Sequence, residues 1–326
     1  MHRRTMLTRA ALIACALAAA SPAWAGEAYP VRPIRLILPV APGGGQDTTA
    51  RAVSQKVMEN LGQPIIVDAR PGAGGAIAAG IASRAEPDGY TLLNISSTAV
   101  TTPLVMDDVP YDVFRDFRAV SQLVSTPYLL IVTPSLPVRS VAELTAYAKA
   151  NPDKLTYASA GSGSLTHLGV EFLRQQMGVQ MVHVPYKGMG PSGPDLMAGR
   201  VHLGFWSTVS ALPHVKAGRL RALAVTGPKR ANNLADLPTV AESGFPGFAV
   251  TQWYGVLAPK RVPDAIVARL SQAFASSVTH PEVATHISRD GGEPVGSSPQ
   301  QFEAHLKSER AKWAKVVKQT GIRNKQ

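Results

Sequence analysis

Short, nearly unbroken apolar runs alternate along this chain with longer stretches of helical period, and the alternation predicts its layout. Residues 34–40 (IRLILPV) read as a parallel strand buried on both faces, running into Ala41-Pro42-Gly43-Gly44-Gly45. Beyond it Ala50, Val53, Val57 and Leu61 share one helical face, with Asp47 placed to cap the helix and Gly62 to end it. A strand at 64–68, a second glycine loop at 71–75 and an alanine-rich helix at 76–85 repeat the unit. Pro87-Asp88-Gly89 then turns the chain into a third strand at 90–95. Three strand–helix units in succession predict a parallel sheet covered by helices.

The pattern changes between 117 and 134, where apolar stretches 119–124 and 128–133 flank Thr126-Pro127. It resumes with a helix at 141–150, a strand at 156–158, a loop at 160–164 and a helix at 165–176 whose Leu165, Leu168 and Phe172 share a face. Strands follow at 181–184, 202–206 and 222–226. A Pro- and Gly-rich passage at 238–248 leads to a strand-like run at 253–258, and helices at 263–277 and 299–320 close the chain. This order predicts a second α/β sheet inserted into the first, with crossings near 126–127 and 252–254. The expected divisions are a leader at 1–25, lobe I at 26–126 plus 253–326, and lobe II at 127–252.

The leader changes the compartment. Basic Arg3, Arg4 and Arg9, an apolar run at 10–20 and the small-x-small end Ala23-Trp24-Ala25 read as a signal peptide cleaved after Ala25. The run is too short for a spanning helix. Arg3-Arg4 leaves Sec and twin-arginine export both open. The single cysteine, Cys15, lies in this leader, and cleavage there as a lipoprotein would leave almost no apolar run. The mature chain is therefore expected to be periplasmic, without disulfides, thiol chemistry or Cys-ligated metal.

Charge adds little. The chain carries 33 Lys and Arg against 22 Asp and Glu, and three of the arginines fall in the leader. The excess is scattered, so it reads as solubility charge with a weak preference for anions, and no nucleic-acid partner is expected.

The candidate chemistry lies in the loops. Ala41, Pro42, Gly43, Gly44 and Asp47 sit beyond the C-terminal end of a strand and at the start of a helix, where backbone N–H groups and the helix dipole suit a carboxylate or phosphate. Taken alone, the loop is equally a tight turn. Neither glycine loop completes G-x-G-x-x-G, since Thr48 and Ile77 occupy the third positions, and there is no P-loop, so no cofactor is expected. Gly161, Ser162, Gly163 and Ser164 lead into a second helix carrying His167 and repeat the arrangement with hydroxyls added. Two such loops facing across a cleft would grip one solute from both sides. Ser96 and Ser97 add hydroxyls on the first lobe's rim, and Tyr186 and Lys187 follow a strand on the second.

A hydrolase built on Ser164 and His167 lacks a G-x-S-x-G elbow and an orienting acid, so catalysis is not expected. His183, His202, His214, His280, His286 and His305 show no metal-ligand spacing and read as satisfied or exposed, so no metal site is expected. Trp206-Ser207 and Trp253-Tyr254 could line a cleft, although such aromatics are more often core.

Ordered motifs then add a family. YPVRPIRLILPVAPGGGQDTTAR (29–51), GQPIIVDARPGAGG (62–75), PDGYTLL (87–93), ASAGSGSLTHLGVE (158–171), HVPYKGMGP (183–191), AGRLRALAVT (217–226) and LPTVAESGFPGF (237–248) resemble the Bug family, the substrate-binding receptors of tripartite tricarboxylate transporters. The resemblance implies a type II-like periplasmic-binding fold, two doubly wound lobes joined by two crossing segments. It also implies a small organic acid or amino acid held by backbone amides and water in loops 41–47 and 161–164 with His167, no arginine clamp, and delivery to inner-membrane permease subunits by a monomer. Ser207 and Thr239 carry over as weaker site candidates. Val40 stands where these receptors commonly carry a bulky aromatic, and Ser192-Gly193-Pro194 replaces a more usual Ala-Leu-x. A receptor signalling to a membrane sensor is the alternative reading, and a periplasmic serine hydrolase the third.

Overall fold

Leu36, Ile37 and Leu38 are fully buried, as a strand covered on both faces requires. They belong to β1 (Ile34–Leu38), which starts the compact body Arg32–Gln326. The computed structural model describes residues 29–231, 234–289 and 291–322. The leader reading at 1–25 lies outside the described residues.

After β1 come α1 (Gly45–Leu61), β2 (Ile65–Ala69), a 3-10 turn at Ala73–Gly75, α2 (Ala76–Ser83), β3 (Thr91–Ser96) and α3 (Thr98–Val105). A short α4 (Val113–Asp116) feeds β4 (Phe117–Val132). Next are α5 (Val141–Ala150), β5 (Thr156–Ser159), α6 (Leu165–Met177), β6 (Val182–Pro185), α7 (Gly193–Met197), β7 (Leu203–Ser207), α8 (Thr208–Lys216) and β8 (Arg221–Val225). β9 (Thr251–Pro259), α9 (Asp264–Val278), α10 (Pro281–Arg289), β10 (Glu293–Pro294) and α11 (Pro299–Thr320) complete the described chain.

The sheet runs β2-β1-β3-β9-β4-β7-β5-β6, with β8 and β10 pairing to β4 off this path. Its two ends repeat one another. β1 lies between β2 and β3, parallel to both, and β5 lies between β6 and β7, parallel to both. In each triplet the first strand is central and its successors fall on opposite sides, the doubly wound arrangement that opens a crevice at the end of the central strand. Between the triplets, β9 and β4 run antiparallel to each other, β9 also antiparallel to β3 and β4 to β7.

One expectation changes here, the cap of α1. The two apolar stretches between 119 and 133 fall on a single strand, β4, which ends at Val132. Pro127, which has no N–H to give a ladder, sits where β4 passes from β9 and β10 to β7 and β8, so the missing donor falls at a change of partners. Helix α1 is capped by Gly44 with no side-chain bond, and Asp47 is its third residue rather than its cap, because its carboxylate turns back to the loop.

Helix α11 buries Phe302, Leu306, Glu309, Trp313 and Val316, a stripe at three- and four-residue intervals, and starts in a capping box between Ser298 and Gln301. Its Phe302 ring meets Trp253 edge-on at 5.7 Å. Gly255 admits this helix: a Cβ there would lie 2.2 Å from Phe302 Cζ and 3.0 Å from the Ser121 carbonyl oxygen.

Candidate functional site

The first loop is shaped from within. Pro39 ends β1, and Gly43 takes a φ of 96°, a region that favours glycine. Its N–H donates to Asp47 Oδ2 at 3.0 Å, while Asp47 Oδ1 accepts from Arg51 Nε at 2.9 Å. The Arg51 bond leads the effects that hold the buried Asp47 carboxyl below its usual range. Asp47 thus fastens the loop. Positions 41–45 remain exposed, and the first-turn amides of α1, which lack intrahelical acceptors, end at this loop. Gln46 is buried and donates through Nε2 to Asn94 Oδ1 at 2.7 Å, tying the helix start to β3.

The second loop is built alike. Ser164 caps α6 by accepting the His167 N–H, and Gly163, at φ 76°, donates its N–H to His167 Nδ1 at 3.0 Å. His167, like Asp47, is the third residue of its helix and holds the glycine four positions back. Because Nδ1 accepts, the neutral ring carries its proton on Nε2. Burial first, then His183 beside it, pulls the imidazole down to about 4 against the opposing charge of Glu171. His167 is therefore an uncharged group at neutral pH. Ala160 N–H donates to Thr166 Oγ1 at 2.9 Å, and Gly161 N–H to Ser159 Oγ at 3.1 Å, so three backbone N–H groups of the loop are tied to neighbouring side chains.

The strands place the loops toward one region. β5 and β7 are parallel, and Ser207 at the end of β7 pairs with Tyr128 of β4. On the other side Ser96, at the end of β3, pairs with Tyr254 of β9. Thr126 pairs with Gln252 and Pro127 with Thr251 between them. Both triplets thus direct their C-terminal strand ends, and the loops that follow, at the crossing strands. Gln252 Oε1 accepts from Ser97 Oγ at 2.8 Å and from Tyr128 OH at 3.3 Å. A Cβ on Gly45 would stand 3.5 Å from the Tyr254 hydroxyl, so that phenol faces the first loop.

The remaining sequence candidates divide. Ser97 is fully buried and committed to Gln252, while the Ser96 and Thr98 hydroxyls bond each other at 2.8 Å. Ser162 is exposed within the second loop. Tyr186 donates its hydroxyl to Asp195 Oδ2 at 2.6 Å and packs against a separate apolar cluster that includes Leu196 and Trp206, and Lys187 is exposed. Burial and the Asp195 bond push the Tyr186 phenol up to about 12. Ser207 caps α8 by accepting the Ser210 N–H. Thr239 is buried, and its hydroxyl accepts the Glu242 N–H at 3.0 Å while Glu242 accepts the Thr239 N–H, so both of its polar groups serve a local turn. Ser164 and His167 do not form a nucleophile–base pair: the Ser164 oxygen serves as a cap, and His167 Nδ1 is engaged by Gly163. Trp253 is fully buried core, whereas Tyr254 is half-buried.

Sequence reasoning gave no place to the side chains of Gln252, Tyr128 and Ser159 and read His183 as satisfied or exposed; the structure sets them beside the two loops and the crossing strands. The signal within reach was the alternation along β9, where Thr251 and Trp253 are buried and Gln252 and Tyr254 face out of the core.

Comparison with known proteins agrees with this fold. Residues 49–322 match the model of the tripartite tricarboxylate transporter family receptor, TctC. The protein BugT of Bordetella pertussis is 35% identical over 92% of this chain and 92% of its own length. Two solved structures from Rhodopseudomonas palustris are similar: Rpa4515 with adipate (38% identity, TM-score 0.77, covering 90% of this chain and 99% of that one) and MatC with bound malate (31% identity, TM-score 0.71, covering 89% and 100%). With a doubly wound triplet at each end of the sheet, two crossing strands between and family motifs along nearly the whole body, this chain belongs to the TctC, or Bug, family of periplasmic solute-binding receptors.

Proposed function

We propose that this protein captures a small carboxylate, a dicarboxylate foremost, between lobe I (26–126 plus 253–326) and lobe II (127–252), and delivers it to the membrane subunits of a tripartite tricarboxylate-type transporter. The observation that carries the reading is the repeated loop: Gly43 fastened by Asp47 and Gly163 by His167, each at a helix start beyond a central strand. Preorganised amides at two such sites suit the two ends of a dicarboxylate. Adipate and malate in the related structures support this class. The adjoining residues fit a clamp without a free cation: Asp47 engages Arg51, and His167 is neutral. Loops 41–47 and 161–164 with His167 form the site, rimmed by Ser96 and Ser207, with Ser97 buried behind it on Gln252, and the hinge lies where Thr126 and Pro127 pair with Gln252 and Thr251.

The test is a thermal-shift screen of ligand-stripped protein against mono- and dicarboxylates, adipate and malate included, with mass spectrometry of any co-purifying solute. A ligand at a hundredfold excess over its Kd stabilises the native state by about 2.7 kcal/mol. No shift with any carboxylate at millimolar concentration would end the proposal. Transport is tested by co-purification with the membrane subunits in the presence of the ligand so identified, and capture of a sensor domain alone would overturn it.

A further inference from the structure

His183 lies on β6 directly beside Tyr157 of β5 in the parallel pairing. Its ring is stacked on that of His167, centroids 3.8 Å apart and 8° from parallel, with Tyr157 at 5.0 Å from His183 and 6.2 Å from His167. A ring nitrogen of His183 is engaged as well: Nε2 lies 2.6 Å from Ser159 Oγ, the hydroxyl that accepts the Gly161 N–H. Each histidine therefore reaches the second loop by its own route, His167 directly to Gly163 and His183 through Ser159 to Gly161.

We infer that His183 is a positioning residue of the second binding loop, holding the His167 ring in place by stacking and the Gly161 backbone through Ser159. The inference deepens the carboxylate reading and rests on it for its consequence in binding. Two imidazoles in van der Waals contact in a buried setting oppose protonation of either one. The other titratable and charged groups around them are Tyr157, whose hydroxyl donates to Glu171 at 2.7 Å, and Glu171 itself, which Arg174 neutralises in a two-pronged pair. A proton on His167 Nδ1 would face the Gly163 N–H and break that bond. The stack keeps the loop in its binding form by keeping the ring neutral.

The experiment uses the full mature chain, ligand-free and 15N-labelled, unmodified and as His183→Phe, His183→Ala and Ser159→Ala. NMR titration reads the protonation and tautomer of His167 without any ligand, and calorimetry reads affinity for adipate and for malate. In the unmodified protein His167 is expected as the Nε2–H tautomer at pH 7. His183→Phe keeps a ring in the stack but removes the second titratable group and the Ser159 bond. It is expected to move His167 titration to higher pH and to shift the Gly161 and Gly163 amide resonances. For whichever probe binds the unmodified chain, affinity falls about tenfold, the effect of roughly one net hydrogen bond. Ser159→Ala is expected to shift the same two amides. An Nδ1–H tautomer, or unchanged His167 titration and unchanged Gly161 and Gly163 resonances in His183→Phe and His183→Ala, overturns the inference. Should neither probe bind the unmodified chain, the carboxylate reading is decided by the wider thermal-shift screen, and the NMR arms decide the role of His183 without a ligand.

Discussion

Asp47 and His167 hold the same position in two different loops: each is the third residue of its helix, and each accepts, at 3.0 Å, the N–H of the glycine four places earlier. One acceptor is a carboxylate and the other an imidazole, so the two loops are fastened alike with different electrostatics. The first loop carries a charge already matched by Arg51, and the second carries none at neutral pH.

Removing Asp47 should loosen the first loop. A hydrogen bond to a charged group contributes about 1.5–3 kcal/mol net, and Asp47→Ala loses both the Gly43 and the Arg51 bonds. Affinity for the bound carboxylate is expected to fall at least tenfold, and Asp47→Asn, which keeps an acceptor, to lose less. Calorimetry on the two variants checks the order. Since the Arg51 bond foremost holds the Asp47 carboxyl below its usual range, its stabilisation is present above the ordinary carboxyl pKa and is lost as pH falls through the lowered one.

Acid should weaken the fold at a higher pH than carboxylates alone would dictate. Burial lowers His167 to about 4, and it also lowers His183, His202 and His305. The unfolded chain then takes up protons below the ordinary histidine value of 6.5 while the native rings stay neutral, so stability declines as pH falls from there toward about 4. Urea midpoints at pH 7, 5.5 and 4 measure it, and a flat profile down to 5 contradicts the account.

Gln252 joins β3 to the crossing strands by accepting two hydroxyl protons, from Ser97 and Tyr128. Gln252→Ala leaves the buried Ser97 hydroxyl without that acceptor and is expected to destabilise by about 1–3 kcal/mol. Gln252→Glu, which restores an acceptor, should recover part of it in denaturant unfolding.

A methyl group at Gly255 has no room beside Phe302 and the Ser121 carbonyl. Gly255→Ala should cost about 1–3 kcal/mol from overpacking, read as a lowered melting temperature. Combining it with Phe302→Leu should recover part of the loss, and simple additivity would place the clash elsewhere.

Glu309 is buried and accepts from the indoles of Trp313 at 2.9 Å and Trp253 at 3.4 Å, with Lys312 paired to it. Glu309→Ala strands two buried N–H donors, and the expected loss is about 2–4 kcal/mol. Glu309→Gln keeps an acceptor and should fall between it and the unmodified protein by chemical denaturation.

Much of the fold was legible because its signals are local. The 22-residue helix Pro299–Thr320 lies within the predicted bounds, marked by its cap and apolar stripe. Strands β1, β3 and β5 were readable within a residue or two from apolar runs ending in glycine, hydroxyl or proline. The two short helices around the crevice, Thr98–Val105 and Thr208–Lys216, escaped notice because each contains a proline and neither has a clear stripe. The single strand β4 was legible only as two apolar stretches around Thr126-Pro127, because the change of partners at Pro127 is set by the sheet.

From the sequence by itself came the two glycine loops, the helices they open and the strands they follow. These depend on turn chemistry and hydrophobic period within some twenty residues. Only the tertiary structure decided which groups meet: Ser97 with Gln252, 155 positions apart, Gln46 with Asn94, 48 apart, and Ser159 with His183 across neighbouring strands. A serine, a glutamine or a histidine carries no local mark of its partner, because the desolvation that makes such a pair matter exists only once the chain has folded around it.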